Sequence, residues 1–436
     1  MRLRRSVLSA GIGCALLVGF AVTAAEASDP TPIEELGKQL FFDKISRPAK
    51  AQSCASCHVP AAGWTGGIAG INVHGGVYRG AAPQRFGNRK PPTTAYATFS
   101  PIFHYNGTEF VGGNFWDGRA TGENLGNPAA DQALGPFLAP VEQNMPSKAA
   151  VIDEVAESKY ADLFETVFGP GSLEYNPDIP GSVEAVYDRI GLSIAAYEGS
   201  AEVSPFSSKF DVYWVSCLDA GNAPEECGRA EGIKAVLDPE DVLSEQEFDG
   251  LIEFGEYCAA CHVSDVLGPD DLPPLFTDFT FENIGVPRNP ENPFYDMDEV
   301  FLDDGTAINP LGEDFVDLGL GDFLRTRPAE DPWRDMAFEN DGKMKVPTVR
   351  NVDRRPGKGF PKAYMHNGVF KTLEEVVHFY NTRDVPAENW PPPEVDRNVN
   401  REILEGVPLG NLELDQEAED AIVAFLRTLT DGFEEP

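Results

Sequence analysis

The sequence predicts a mainly α-helical protein of two similar domains with long irregular loops. Three observations lead to that class. A Cys-x-x-Cys-His motif occurs twice, each copy after an amphipathic stretch that opens on a helix-start signal. Strand-like alternation of polar and apolar residues is scarce. The 42 glycines and 36 prolines fall largely between the periodic segments and mark loops, as in 81–92 and 285–294. A length of 436 residues suits two to three domains. With 42% hydrophobic and 24% charged residues the chain can bury real cores, which excludes wholesale disorder. Asp and Glu total 71 against 34 Lys and Arg, a net charge of -37. Such a surface repels phosphate backbones and anionic lipid, which argues against nucleic-acid and membrane partners and leaves basic proteins and small molecules.

The chain opens with Arg2, Arg4 and Arg5, an apolar stretch from Ile12 to Val22, and the small-residue pattern Ala25-Glu26-Ala27. This reads as a secretory signal over residues 1–27, cleaved after Ala27, and places the mature protein in the periplasm. A membrane anchor is the rival, but the apolar stretch is short for a span of about 20 residues. Cys14 leaves with the signal, so six of the seven cysteines meet an oxidising compartment.

Thr31, Pro32 and Glu34 then give an N-cap, a first-turn proline and a capping-box acid, followed by Ile33, Leu36 and Leu40 at helical spacing. Behind this helix comes Cys54-Ala55-Ser56-Cys57-His58. The pattern repeats later: Ser244 and Glu247 form a capping box, Phe248, Leu251 and Ile252 share a face, and Cys258-Ala259-Ala260-Cys261-His262 follows. In such a motif two thiols on one turn can each form a thioether to a haem vinyl group, and the adjacent imidazole becomes the proximal iron ligand. A zinc site would need two distant cysteine pairs brought together, and a redox dithiol does not require the histidine. Two covalently bound haem c groups are therefore expected, each organising a cytochrome c-like domain: 28–205 and 206–436, with the boundary near 200–240. In that region Cys217 and Cys227 bracket a short segment and read as a local disulfide. Two more helices are marked downstream. Thr372 and Glu375 cap one carrying Leu373, Val376, Val377 and Tyr380. Asp415 caps the last, with Ile422, Phe425, Leu426 and Leu429 along one side.

Several blocks occur in a fixed order: the first haem motif, Phe115-Trp116-Asp117-Gly118-Arg119-Ala120, the run from Gln132 to Glu142, the second haem motif, Lys345 to Val352, and Tyr364-Met365-His366-Asn367-Gly368. Together they resemble the bacterial di-haem cytochrome c peroxidases and their relative MauG, which matures a tryptophan-derived quinone cofactor. The resemblance spans nearly all of the mature chain. It implies that the first haem reacts with hydrogen peroxide beneath Glu142 and Gln132, and that Trp116 lies between the haems as an electron relay. Cleaving an O–O bond needs a group that moves a proton between its oxygens, and a carboxylate shielded from water suits that task. His74 is the candidate resting-state ligand of the first iron, with a plain loop histidine as the rival reading. Tyr380 matches the position where peroxidases carry Met and MauG carries Tyr, and so is the candidate axial ligand of the second iron. A core tyrosine is one rival reading and ligation by Met365 another. His104 and His378 read as structural or exposed. The family often holds calcium between its domains through an Asn in a motif similar to Asn88-Arg89-Lys90-Pro91-Pro92-Thr93. Here the matching position is Lys90, which cannot ligate calcium, with Asn88 as a shifted substitute, so calcium is left open.

The resemblance implies a periplasmic peroxidase drawing electrons from a small cytochrome c or similar redox protein, with a homodimer left open. A MauG-like enzyme oxidising Tyr or Trp side chains of a partner protein is the alternative. A di-haem electron carrier is a third reading, against which the Gln132–Glu142 run speaks.

Overall fold

A computed structural model describes residues 29–302, 304–404 and 406–434; the signal segment 1–27 lies outside them. The chain is mainly helical, and its described strands are three short antiparallel pairs, such as His104–Tyr105 against Phe110–Val111. Seven helices organise it: α1 (Pro32–Phe42), α2 (Pro128–Leu138), α3 (Ser182–Glu198), α4 (Lys209–Asp219), α5 (Glu245–Tyr257), α6 (Leu373–Thr382) and α7 (Gln416–Thr428). The predicted caps form. Thr31, Ser244 and Thr372 each accept the backbone N–H three residues on, and the acids Glu34, Glu247 and Glu375 return the bond. Asp415 accepts from the Ala418 N–H at 3.0 Å.

One packing device appears twice. α1 crosses α3 at Gly37, where an added Cβ would lie 1.9 Å from the Ser193 carbonyl oxygen. α5 crosses α7 at Gly250, where it would lie 1.9 Å from the Ala421 carbonyl oxygen. In each case the helix leading to a haem motif is pressed onto a later helix at a position only glycine fits. The first crossing buries Leu36, Leu40, Ile190 and Ile194; the second buries Leu251, Phe254, Ile422 and Phe425. Ile252 departs from expectation and is 41% exposed. The close approach at Gly250 turns Phe248, Leu251 and Phe254 inward and leaves Ile252 a quarter-turn outside.

The first core draws mainly on residues 36–203 and the second on 210–429, but the two are laced together. Leu275 packs into the first core, and a third cluster joins Phe103 and Phe110 to Phe281, Leu320 and Leu324. Between the cores, buried Arg350 forks onto Asp211 at 2.8 and 3.1 Å, with the rings of Phe206 and Tyr96 within 4.6 and 5.1 Å. Asp431 accepts from the Tyr96 hydroxyl at 2.9 Å and the Asn351 amide at 2.6 Å. Cys217 and Cys227 are joined in a disulfide that ties α4 to the short helix Pro224–Arg229.

Candidate haem sites

Each motif closes a single helical turn. The His58 N–H donates to the Cys54 carbonyl at 2.9 Å, and the His262 N–H to the Cys258 carbonyl at 2.9 Å. That turn brings two thiols and one imidazole to one place, as the spacing predicts. The imidazoles are then aimed by loops further along. His58 Nδ1 lies 3.2 Å from the Trp64 carbonyl oxygen, and His262 Nδ1 lies 3.1 Å from that of Phe276. A carbonyl only accepts, so each Nδ1 carries the proton and each Nε2 is left with its lone pair, the tautomer an iron ligand requires. Burial supports this by disfavouring the charged ring: His58 is lowered to about 4, and His262 is lowered as well.

The four motif cysteines are free of disulfides. Burial pushes Cys57, Cys258 and Cys261 up to about 12 and Cys54 up as well. A reactive dithiol needs a lowered thiol, so the environment opposes that reading. Among the described residues no three His, Cys, Asp or Glu side chains converge as a metal ion would need, and the two cysteine pairs stay apart.

Both imidazoles line one continuous, largely apolar cavity. Its walls, the paired thiols and the free Nε2 atoms fit two porphyrins attached through Cys54 and Cys57 and through Cys258 and Cys261, with His58 and His262 as iron ligands. Trp116 stands on the same wall. Its Nε1 donates to the Lys90 carbonyl at 2.9 Å, and its own carbonyl accepts from the Lys345 N–H at 2.8 Å. Tyr380 also lines the cavity, on α6, as do Cys258 and Cys261. Its hydroxyl has no hydrogen-bond partner among the described residues, and burial pushes the phenol upward. Met365 shares this wall.

Gln132 reaches the cavity from α2. Glu142 follows in the turn after that helix. Its N–H donates to Ala139, its carbonyl accepts from Ala81, and Gly80 is where the two segments meet. The Glu142 carboxyl stands beside Cys57 rather than on the cavity wall; burial pushes it up, and Arg119 partly offsets the rise. His74 is not brought to His58. It caps the short helix Ala69–Val73 with its side chain exposed, and reaching the cavity would require its loop to move. His104 is exposed, and His378 is bracketed by Glu388 and Glu419. At the position matched to a calcium ligand, the Lys90 ammonium donates to Thr65 Oγ1 at 3.0 Å and the Pro91 carbonyl at 3.2 Å, so a cation already occupies those acceptors.

Nothing in the sequence marks a haem-site role for the cavity residues His366, Lys345 and Lys362, and Lys90 stands out only as a mismatch to a calcium ligand. His366 is buried, its Nε2 has no partner, and its ring centroid is 6.4 Å from that of Trp116. Lys90, Lys345 and Lys362 line the same cavity. Lys345 and His366 belong to the ordered blocks and Lys362 lies beside one, whereas Lys90 falls in the Asn88–Thr93 segment.

Two helix crossings, each feeding a covalent haem motif with a carbonyl-pinned histidine, define a two-centre c-type haem protein. The comparisons agree. The profile of the di-haem cytochrome c peroxidases matches residues 32–216. The methylamine utilization protein MauG of Paracoccus denitrificans is 33% identical, over 97% of this chain and 95% of that one. A cytochrome c551 peroxidase of Nitrosomonas europaea is 25% identical, over 98% of this chain and 90% of that one. The crystal structure of the diheme peroxidase BthA of Burkholderia thailandensis superposes with a TM-score of 0.66 at 27% identity, covering 92% of this chain and 87% of that one. The chain belongs to the di-haem cytochrome c peroxidase family. Membership implies two haem c groups, peroxide as substrate and a redox partner. Among the described residues no helix is long and apolar enough to cross a membrane.

Proposed function

We propose that this chain is an exported di-haem peroxidase that reduces hydrogen peroxide to water with electrons from a small, basic cytochrome c or similar redox protein. The observation that carries the reading is a single cavity shared by His58, His262, Gln132 and Trp116; the shielded carboxyl of Glu142 stands outside its wall, on the Cys57 side. The bound haems supply the redox chemistry: one peroxide, two electrons and two protons give two waters. His58 and His262 hold the irons. The Gln132 amide orients peroxide at the first site. Glu142 takes the proton from the near oxygen and delivers it to the leaving one, which a carboxyl lifted toward neutrality does well. Trp116, clamped at both its indole and its backbone, is the relay between the sites. The acidic surface favours a basic donor, through faster encounter more than through affinity.

A second reading has its own support. Tyr380 lies on the wall of the cavity that Cys258, Cys261 and His262 also line. A phenolate is a hard donor that favours ferric iron, whereas a thioether favours ferrous. Ligation by Tyr380 would lower the second haem's potential and suit oxidation of Tyr or Trp side chains on a partner protein, as in MauG. Steady-state turnover of reduced cytochrome c with peroxide separates the two. Rapid oxidation is expected; negligible turnover would transfer the case to the modifying enzyme. Electron paramagnetic resonance of the ferric protein tests the ligand: the second haem's signal changes in Tyr380→Phe, and an unchanged signal removes Tyr380.

A further inference from the structure

We infer that the ammonium groups of Lys90, Lys345 and Lys362 are counter-ions of the haem propionates, Lys90 and Lys362 at the first site and Lys345 at the second. The inference rests on the two-haem reading above and assigns side chains that it leaves idle.

The chain treats its buried cations in two ways. Arg89 lies between Asp117 and Asp317, Arg350 grips Asp211, and Arg383 pairs with Asp384. The three cavity lysines have no such partner. Lys90 donates to Thr65 and Pro91; Lys362 donates to the carbonyls of Ala62 at 3.0 Å and Arg354 at 2.8 Å; Lys345 donates to Ser100 Oγ at 2.6 Å and to the Gly113 carbonyl. Every acceptor is neutral, and none of the three lysines forms an ion pair among the described residues. In a chain with 71 acidic residues, carboxylates are not in short supply. An unpaired buried ammonium is destabilising unless an anion arrives. Burial accordingly lowers Lys90 to about 8 and Lys345 and Lys362 to about 7. An ammonium has three donors, so two acceptors leave one N–H on each lysine for a further partner. The carboxylates on the cavity wall bond elsewhere, Asp317 to Arg89, Glu282 to the Asn400 amide and Glu394 to the Tyr295 hydroxyl, and Asp278 offsets only part of the effect of burial on Lys345; haem c brings paired propionates.

Position divides the lysines between the sites. The loop that aims His58 through Trp64 also holds Lys362 through Ala62 and Lys90 through Thr65. Lys345 precedes Val346, whose carbonyl accepts from Thr277, next to the Phe276 that aims His262. The backbones of Lys90 and Lys345 are also the two that clamp Trp116. Propionate pairing would therefore fix the relay in place once both haems are attached.

The test uses matured holoprotein carrying Lys90→Met, Lys362→Met or Lys345→Met. Intact mass counts the haems, resonance Raman reads the propionate bending bands, and spectroelectrochemistry reads each midpoint potential. The first two variants should shift the first haem's propionate bands and lower its potential while sparing the second. Lys345→Met should do the converse. Propionate bands unchanged in all three, or moved at the wrong haem, overturn the assignment even with two haems present. Wild-type protein lacking a haem would instead sink the two-haem reading. A methionine variant that does not mature is replaced by Lys→Gln, which keeps a donor without the charge and is read the same way.

Discussion

At the scale of single residues, the chemistry turns on where protons sit. Trp64 and Phe276 each place a carbonyl behind an imidazole, and that alone selects the ligand-competent tautomer at both irons. Burial holds the Glu142 pKa up, and in the proposed reaction this carboxyl must be ionised to take the first proton from peroxide. Peroxidase activity should therefore fall as pH drops through a pKa above the ordinary glutamate value of about 4.3. In Glu142→Gln the limb should vanish and kcat/KM drop by about 10²–10⁴-fold. Stopped-flow kinetics with peroxide across the pH range checks both, and a silent substitution would return the chain to the electron-carrier reading. The motif cysteines with His58 and His262 were legible in the sequence because their chemistry is local to a motif; Tyr380 entered through the family resemblance, and the places of His74 and His366 were not foreseen. The two aiming carbonyls were not: a backbone oxygen has no sequence signature, and its loop is placed by the tertiary fold. The lysines escaped for a related reason, since a lysine is exposed by default and only the folded chain shows it turned inward.

At the scale of elements, the two crossings do the same work. Gly37 and Gly250 let one helix backbone touch another and hold each haem motif against its core. Alanine at either position puts a Cβ against a carbonyl, and the helices must part. Overpacking of this kind costs about 1–3 kcal/mol. Gly37→Ala and Gly250→Ala should each lower the thermal midpoint, whereas Gly70→Ala, where an added Cβ meets nothing within 4 Å, should not. Circular dichroism melts of the three variants decide it, and equal midpoints would contradict the role given to the crossings. Start signals of α1, α5 and α6 could be read in advance because a capping box is a four-residue code, and that of α7 because aspartate favours the N-cap position. The partners of α1 and α5 could not, since nothing local links Gly37 to Ser193. Ile252 was misplaced for the same reason: helical spacing names a stripe, but the partner backbone sets which edge of it is buried.

At the scale of the whole molecule, the join between the cores is polar and closed. Arg350 is buried against Asp211, and Asp431 gathers Tyr96 and Asn351. Asp211→Asn would leave a guanidinium buried without its anion, at a cost of about 3–5 kcal/mol. The exposed pair of Lys38 and Glu202 gives the contrast, since Lys38→Met should cost less than about 1 kcal/mol. Chemical denaturation of both variants measures the difference, and similar losses would show that the join does not depend on this pair. Two repeated motifs revealed the two-centre plan in the sequence; the lacing of Leu275 and Phe103 across the cores did not show, because it depends on long loops returning to distant partners. All of it presumes a porphyrin fixed at each motif. Intact mass spectrometry of protein exported from a host that matures c-type cytochromes tests this most directly. The predicted result is the chain without residues 1–27 plus two haem groups; a chain carrying one haem, or none, would contradict the account.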